Sequence, residues 1–465
     1  MKRNRRAPST SKVRRDVTGG KRGDGNHRKR RVRRPDPKLI RAGKPDPTVT
    51  GVAGLVGFGG YLRHIGVDRA LHEAFDPLKS GRGVIYPMGA QLRLLVDAVA
   101  VGETRVFGVE ALAADPLFTY LAGGVVPSTD TLYDDLARFD VASLGKLEDL
   151  LGYHGLVRVP ELRGPFVHLD LDTSVLPISG ELEGAVPGPN PRYHGRPSYH
   201  PMLARIAELG TIAGAQLRRG DTGFGVNDIP MVRRWVRRVQ GKLRRGTSLC
   251  LRMDSAGDCA DLLRMLHDEQ VFYVIKGKIT PDLYGMLPWV TKWRTTDVDA
   301  ELHPIRQVAE LEFSRGSWRD KGVNVRVIVV RSLERQGKQM PLFNGADWTV
   351  QVFLTNRVDD ANEIAWDYDK RAGIEPLIAE LKGAWGIGHA SCYSFAANHA
   401  LLLLKMLTHN LLDRYTTEQF SELPRWRTPW RRRTLLRVPG RLSHSGRQRK
   451  LHLPPGSPLR NTQRE

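Results

Sequence analysis

The stretch Tyr368 to Lys382, YDKRAGIEPLIAELK, decides how the rest of the chain is read. At about 100° per helical residue, Tyr368, Arg371, Glu375 and Lys382 gather within an arc of roughly 60°. Beside them runs an apolar stripe of Ile374, Ile378, Leu381 and Trp385. An ordinary surface helix carries such charges for solubility, and taken alone the row reads by default as a solvated face. Gly373 and Pro376 flank Glu375. Proline is at ease only in a helix's first turn, so either a helix begins near Ala372 or one kinks there.

Outward from this stretch, the chain has 465 residues, 40% hydrophobic and 26% charged, with a formal net charge of +22. That is enough for two or three domains with sizeable cores. Residues 1–44 hold 18 Lys and Arg against 3 acids, and residues 421–465 hold 12 against 2, so the body between them is close to neutral. Arg outnumbers Lys at both ends, which suits forked contacts to phosphate, and no apolar helix accompanies either end to anchor it in a membrane. Nucleic acid is the expected partner. Cys250, Cys259 and Cys392 make neither a disulfide framework nor a metal pattern. No signal-like apolar core or run near 18 apolar residues is present, so a cytoplasmic, nucleoid-associated protein is expected.

In order, residues 1–46 read as a disordered basic arm. Residues 47–158 read as a helical domain, with apolar positions recurring at three and four. Within it, Ser128 or Thr129 caps a helix with Leu132, Leu136 and Phe139 on one face. Past 160 the period becomes that of strands. GPFVHLDLDTS alternates, and HPMLARIAELGTIAGAQL folds back at Gly210. IPMVRRWVRRVQGKL is an amphipathic helix whose Arg233, Arg234, Arg237, Arg238 and Lys242 make a basic face, either solvated or holding a DNA flank. SLCLRMD is a buried strand ending at Asp254, then a helix, then the strand VFYVIKGKI. Residues 279–356 are β-rich, and SFAANHALLLLKMLTHNLLDRY is an apolar helix closing the core. Its His399 and His409 read as packed side chains rather than ligands. The basic tail 421–465 interleaves Trp426 and Trp430 with arginines, for DNA contact or for docking onto the body.

The spacing Tyr-x2-Arg-x3-Glu-x6-Lys resembles the signature of bacterial insertion-sequence transposases of the DDE type. The resemblance implies an α/β architecture: a ribonuclease H-like catalytic domain over 159–420 with a β-rich insertion at about 279–356, following an N-terminal helical domain that binds the element's ends. It implies a catalytic and metal-binding triad of Asp172, Asp254 and Glu375, holding two Mg²⁺ ions for which Mn²⁺ can substitute. Asp170 and Asp172 share a strand face; Asp172 is preferred because it precedes Thr173. Asp254 is preferred over Asp258 because it follows the apolar run directly. Tyr368, Arg371 and Lys382 are expected to contact DNA, as is Arg196 in the turn YHGRPSYHP. Trp293 and Trp318 are candidates to stack on a flipped base, weighed against core packing. The implied activity is cleavage at terminal inverted repeats and joining of the freed 3′-hydroxyl to target DNA, in a synaptic dimer on double-stranded DNA. The rivals are an inactive DNA-binding derivative and a nuclease on the same fold.

Overall fold

The computed structural model describes residues 41, 43–188, 194–333, 348–424, 426–446 and 448–460. Most of the expected arm at 1–46 lies outside them. From residue 47 onward the described residues form one compact unit.

Five main helices open it: α1 (Leu55–His64), α2 (Val67–Phe75), α3 (Met88–Val101), α4 (Thr129–Leu136) and α5 (Val141–Leu156). Local chemistry sets their starts. The Ser128 hydroxyl accepts from Thr131 N at the head of α4. Asp140 and Ser143 form a reciprocal capping box at the head of α5. Leu132 and Leu136 are buried on one face of α4, while Phe139, also buried, lies beyond the helix's end. Asp135 is buried too, held by Lys79 and Arg138.

The sheet begins with β1 (Phe166–Thr173), β2 (Met202–Ile206), β3 (Thr211–Gln216), β4 (Ser248–Met253) and β5 (Phe272–Lys276). Gly210, at φ +75°, makes the tight turn from β2 to β3. Helix α6 (Ile229–Gln240) leads to β4, and α7 (Ala260–Asp268) joins β4 to β5. The strands lie in the order β3-β2-β1-β4-β5. β1, β4 and β5 run parallel and the first two pairings are antiparallel, the ribonuclease H-like plan. The expected insertion adds β6 (Arg294–Val298), β7 (Pro304–Leu311), β8 (Arg326–Leu333) and β9 (Trp348–Thr355). They form no separate sheet: β9 pairs antiparallel with β5, and β8, β7 and β6 follow, giving nine strands. The free edge of β5 is thereby covered.

Val167, Leu169 and Leu171 of β1 face a core shared with α6 and α7. The opposite face carries Phe166, His168, Asp170 and Asp172, because successive side chains alternate. Helix α8 (Ala361–Asp369) packs there, followed by a 3-10 turn (Lys370–Gly373) and α9 (Ile374–Gly383). Pro376 therefore sits in the first turn of a new helix, so the first of the two readings of Gly373 and Pro376 holds. The 25-residue α10 (Phe395–Gln419) is buried among the opening helices. His399 and His409 on it are buried, and His409 Nε2 lies 3.2 Å from the Gly210 carbonyl. No helix among the described residues is long and apolar enough to cross a membrane.

The C-terminal residues pack onto this body. A short helix (Thr428–Arg431) runs into a π-turn (Arg432–Leu436), and a hairpin of β10 (Gly440–Ser445) and β11 (Gln448–His452) pairs with Val49–Thr50. Leu435, Leu436 and Val438 are buried.

Candidate active site

The parallel register of β1 and β4 sets Asp170 opposite Arg252 and Leu171 opposite Met253. Continuing that register puts Asp254, just past β4, beside Asp172. Adjacent strands are about 4.8 Å apart, so the two carboxylates are neighbours. Burial raises the Asp172 pKa; the Arg371 guanidinium opposes this and the nearby Asp254 charge adds to it. Asp172 Oδ1 accepts from Thr173 N at 2.9 Å and lies 3.2 Å from Arg371 Nη2. Asp254 caps the following turn, with Oδ1 accepting from Ala256 N at 3.1 Å.

The Tyr368 to Lys382 segment folds over this pair. Arg371 Nη2 donates to the Leu171 carbonyl at 2.9 Å, and Lys382 Nζ donates to the Val175 carbonyl at 3.0 Å. These two anchors bracket Asp172 on the strand, and Glu375 lies between them on the helix, exposed in the first turn of α9. Tyr368 packs on Phe353, ring centroids 4.6 Å apart. Burial, opposed by Arg371 and aided by Asp254 and Asp172, pushes its hydroxyl up to about 12. Arg371 differs from the expected DNA contact: it is buried and clamped on Asp172 and the strand backbone, with Nε lacking a hydrogen-bond partner among the described residues. Arg196 is exposed beside Ser198–Tyr199, which pairs with Leu176–Pro177 just beyond β1. His200, which the sequence reading passed over, feels the Asp254 charge; burial lowers its pKa.

Asp170 and Asp258, the alternatives to Asp172 and Asp254, are each held by an arginine. Asp170 is fully buried, with Arg252 Nε on Oδ1 at 2.7 Å and Nη2 on Oδ2 at 3.1 Å. Both its oxygens are committed to that fork. Asp258 is held by Arg315 Nη1 at 2.7 Å and accepts from Lys278 N at 2.7 Å. Four of the five cations on the basic face of α6 are paired: Arg233 and Arg237 with Glu269, Arg234 with Glu148, and Arg238 with Asp149. Trp318 is buried and Trp293 lies under Arg331, so neither ring is free; the exposed tryptophan near them is Trp289, at 82%.

A family model described as "Transposase DDE domain group 1" matches residues 38–465. The chain belongs to the DDE transposases. No curated protein matches it significantly. Among solved structures it is similar to a piggyBac transposase synaptic complex with hairpin DNA, at 12% identity and a TM-score of 0.46, over 82% of this chain and 78% of that one.

Membership in the DDE transposases implies use of a divalent metal. The neighbouring Asp172 and Asp254 fit one, since hard cations take carboxylate oxygens. The oxygens of Asp172, Asp254 and Glu375 do not all lie within 4.8 Å of one another; among the described residues that holds only for ligand atoms of His168, Cys250 and Asp367. This second group does not suit a metal. The His168 imidazole spans Glu208 (2.6 Å) and Asp367 (2.9 Å), and Arg357 Nη1 sits on Asp367 at 2.6 Å. Burial works against the imidazole's charge, but bonds to Asp367, Cys250 and Glu208 outweigh it and push the pKa up to about 11. A protonated ring has no lone pair for a metal.

Proposed function

We propose that this transposase binds the terminal inverted repeats of its own insertion sequence, cleaves the phosphodiesters at the ends, and joins them to target DNA as a synaptic dimer. The observation that carries this reading is the β1–β4 register, which sets Asp172 beside Asp254 under the segment bearing Glu375. These three carboxylates are the ligands we assign to Mg²⁺, which when bound supplies the positive charge that activates water and steadies the leaving oxygen. Arg371 positions Asp172 by gripping its carboxylate and the Leu171 carbonyl together. Lys382 and Arg196, both exposed, meet phosphates flanking the cut, and Tyr368 braces Arg371 from the protein side. Double-stranded DNA is drawn in by the basic ends.

The test is cleavage of labelled DNA carrying the element's end, with and without Mg²⁺, by wild type and Glu375→Gln. Metal-dependent cutting by wild type alone, with both proteins binding the DNA, supports the assignment. Binding without cutting by either protein makes this an inactive DNA-binding member of the family. Equal cutting by both removes Glu375 from the site, and cleavage without joined products leaves a nuclease.

A further inference from the structure

At the far end of α9 from Glu375 lies a cavity of about 570 Å³, bounded by Gly102, Gly383 and three arginines, Arg432, Arg433 and Arg437. No acidic side chain lines it. The Arg432 guanidinium is spent on backbone: Nε and Nη2 donate to the Ala100 and Val99 carbonyls at 2.9 and 2.8 Å, and Nη1 to that of Ala384 at 2.5 Å. It thereby ties the C-terminal ends of α3 and α9 together and gives their last carbonyls a charged donor. The π-turn then brings a second charge back over the first, because Arg437 N donates to Arg432 O at 2.7 Å, five residues apart. Burial, with that proximity added to it, pulls the Arg432 pKa down to about 10, with Glu380 and Glu103 acting the other way. Glu380 is occupied by Thr428 N at 2.7 Å. Arg433 rests over the Trp430 ring, 5.5 Å from its centroid. Arg433 and Arg437 are exposed, and among the described residues neither pairs with a carboxylate.

Three like charges around one cavity repel one another unless an anion joins them. We propose that this cavity is a binding site for the phosphate backbone of duplex DNA, with Arg433 and Arg437 as its ligands and Arg432 as the buried support. The proposal rests on the transposase reading, since it needs DNA at α9. From Glu375 to Gly383 the helix rises about 12 Å, three or four base steps along a strand. Arginines there would hold the duplex that flanks the cut and fix its register on the site.

The experiment measures the affinity of a fluorescein-labelled random-sequence duplex against salt concentration, in EDTA so that no cleavage occurs. Each phosphate contact contributes about 0.9 to the slope of log K against log salt. Arg433→Ala with Arg437→Ala should lower the slope by about 1.8, while the paired lysine substitutions keep it. Arg69→Ala with Arg264→Ala, removing exposed arginines that pair within their own helices, should leave it unchanged. A wild-type slope in the double alanine variant overturns the site alone. If the wild type shows no salt-dependent binding, the transposase reading falls and the site with it. Thermal stabilisation by inorganic phosphate at constant ionic strength, lost in the alanine variant while the DNA slope stays, would assign the cavity to a small anion and overturn the DNA proposal.

Discussion

Asp170 and Asp172 are two residues apart on one face of β1, yet exchanging each for Asn should have opposite consequences. Asp170 is fully buried against Arg252, itself 1% exposed. Asn at 170 leaves the guanidinium charged in the interior. Breaking one side of such a pair costs about 3–5 kcal/mol. Arg252 keeps its 2.6 Å bond to the Asp367 carbonyl, so the low end, about 3 kcal/mol, is expected. With a urea dependence on the order of 3 kcal/mol per molar, the unfolding midpoint should fall by about 1 M. At Asp172 burial already disfavours the charge and Asp254 repels it, while Arg371 retains the Leu171 carbonyl. Asp172→Asn should therefore change stability by less than about 1 kcal/mol. Its metal-dependent cleavage should nevertheless vanish. Urea unfolding followed by tryptophan fluorescence, with cleavage assayed on the same preparations, separates the two. Equal midpoints for Asp170→Asn and wild type, or an equal loss of stability in both variants, would refute the division between a structural and a catalytic aspartate.

Three further outcomes follow from the same geometry. His168, raised in the folded state to about 11 from about 6.5 in the unfolded chain, contributes stability that is complete below pH 6.5. That contribution is lost as pH climbs toward 11, so the urea midpoint should fall between pH 7 and 10, and His168→Gln should flatten the decline. Asp258→Asn removes the negative charge and one of the two oxygens that accept from Arg315 and Lys278 N, but no proposed ligand; stability should drop by about 1–3 kcal/mol while Mg²⁺-dependent cleavage of folded protein persists. Gly54 lets α1 meet the π-turn: a Cβ there would stand 1.8 Å from the Leu435 carbonyl oxygen. Gly54→Ala should cost about 1–3 kcal/mol and make the segment beyond 426 more sensitive to limited proteolysis, since it loosens that docking.

Much of the fold was legible because it is written in short-range periodicity. The alternation of β1, the Gly210 turn and the Ser128 cap each depend on a few neighbouring residues. What escaped the sequence depends on distant partners. The arginines of α6 looked available for DNA because Glu148 and Asp149 on α5, and Glu269 after α7, lie far away in the chain. The strands of 294–355 read as a separate β-rich piece, since nothing local tells a strand which sheet edge it will cover. The tail beyond 421 left DNA contact and docking as equal readings because its arginines mask Leu435, Leu436 and Val438, the apolar residues that dock it.

The site carried one signal that spacing alone could have revealed. SLCLRMD places an arginine inside an apolar strand, and a buried arginine demands an acid. Asp170 precedes Arg252 by the same 82 residues that separate Asp172 from Asp254. One parallel register therefore makes both pairs, an opposite-charge pair in the interior and a like-charge pair at the strand ends. A slip of two residues would keep every side chain on its own face, so hydrophobic patterning does not prevent it. It would set Asp172 against Arg252 and neutralise the proposed metal ligand, while leaving Asp170 buried without its fork. The buried Arg252–Asp170 bond makes that slip costly, and in doing so it holds two carboxylates together that would otherwise repel.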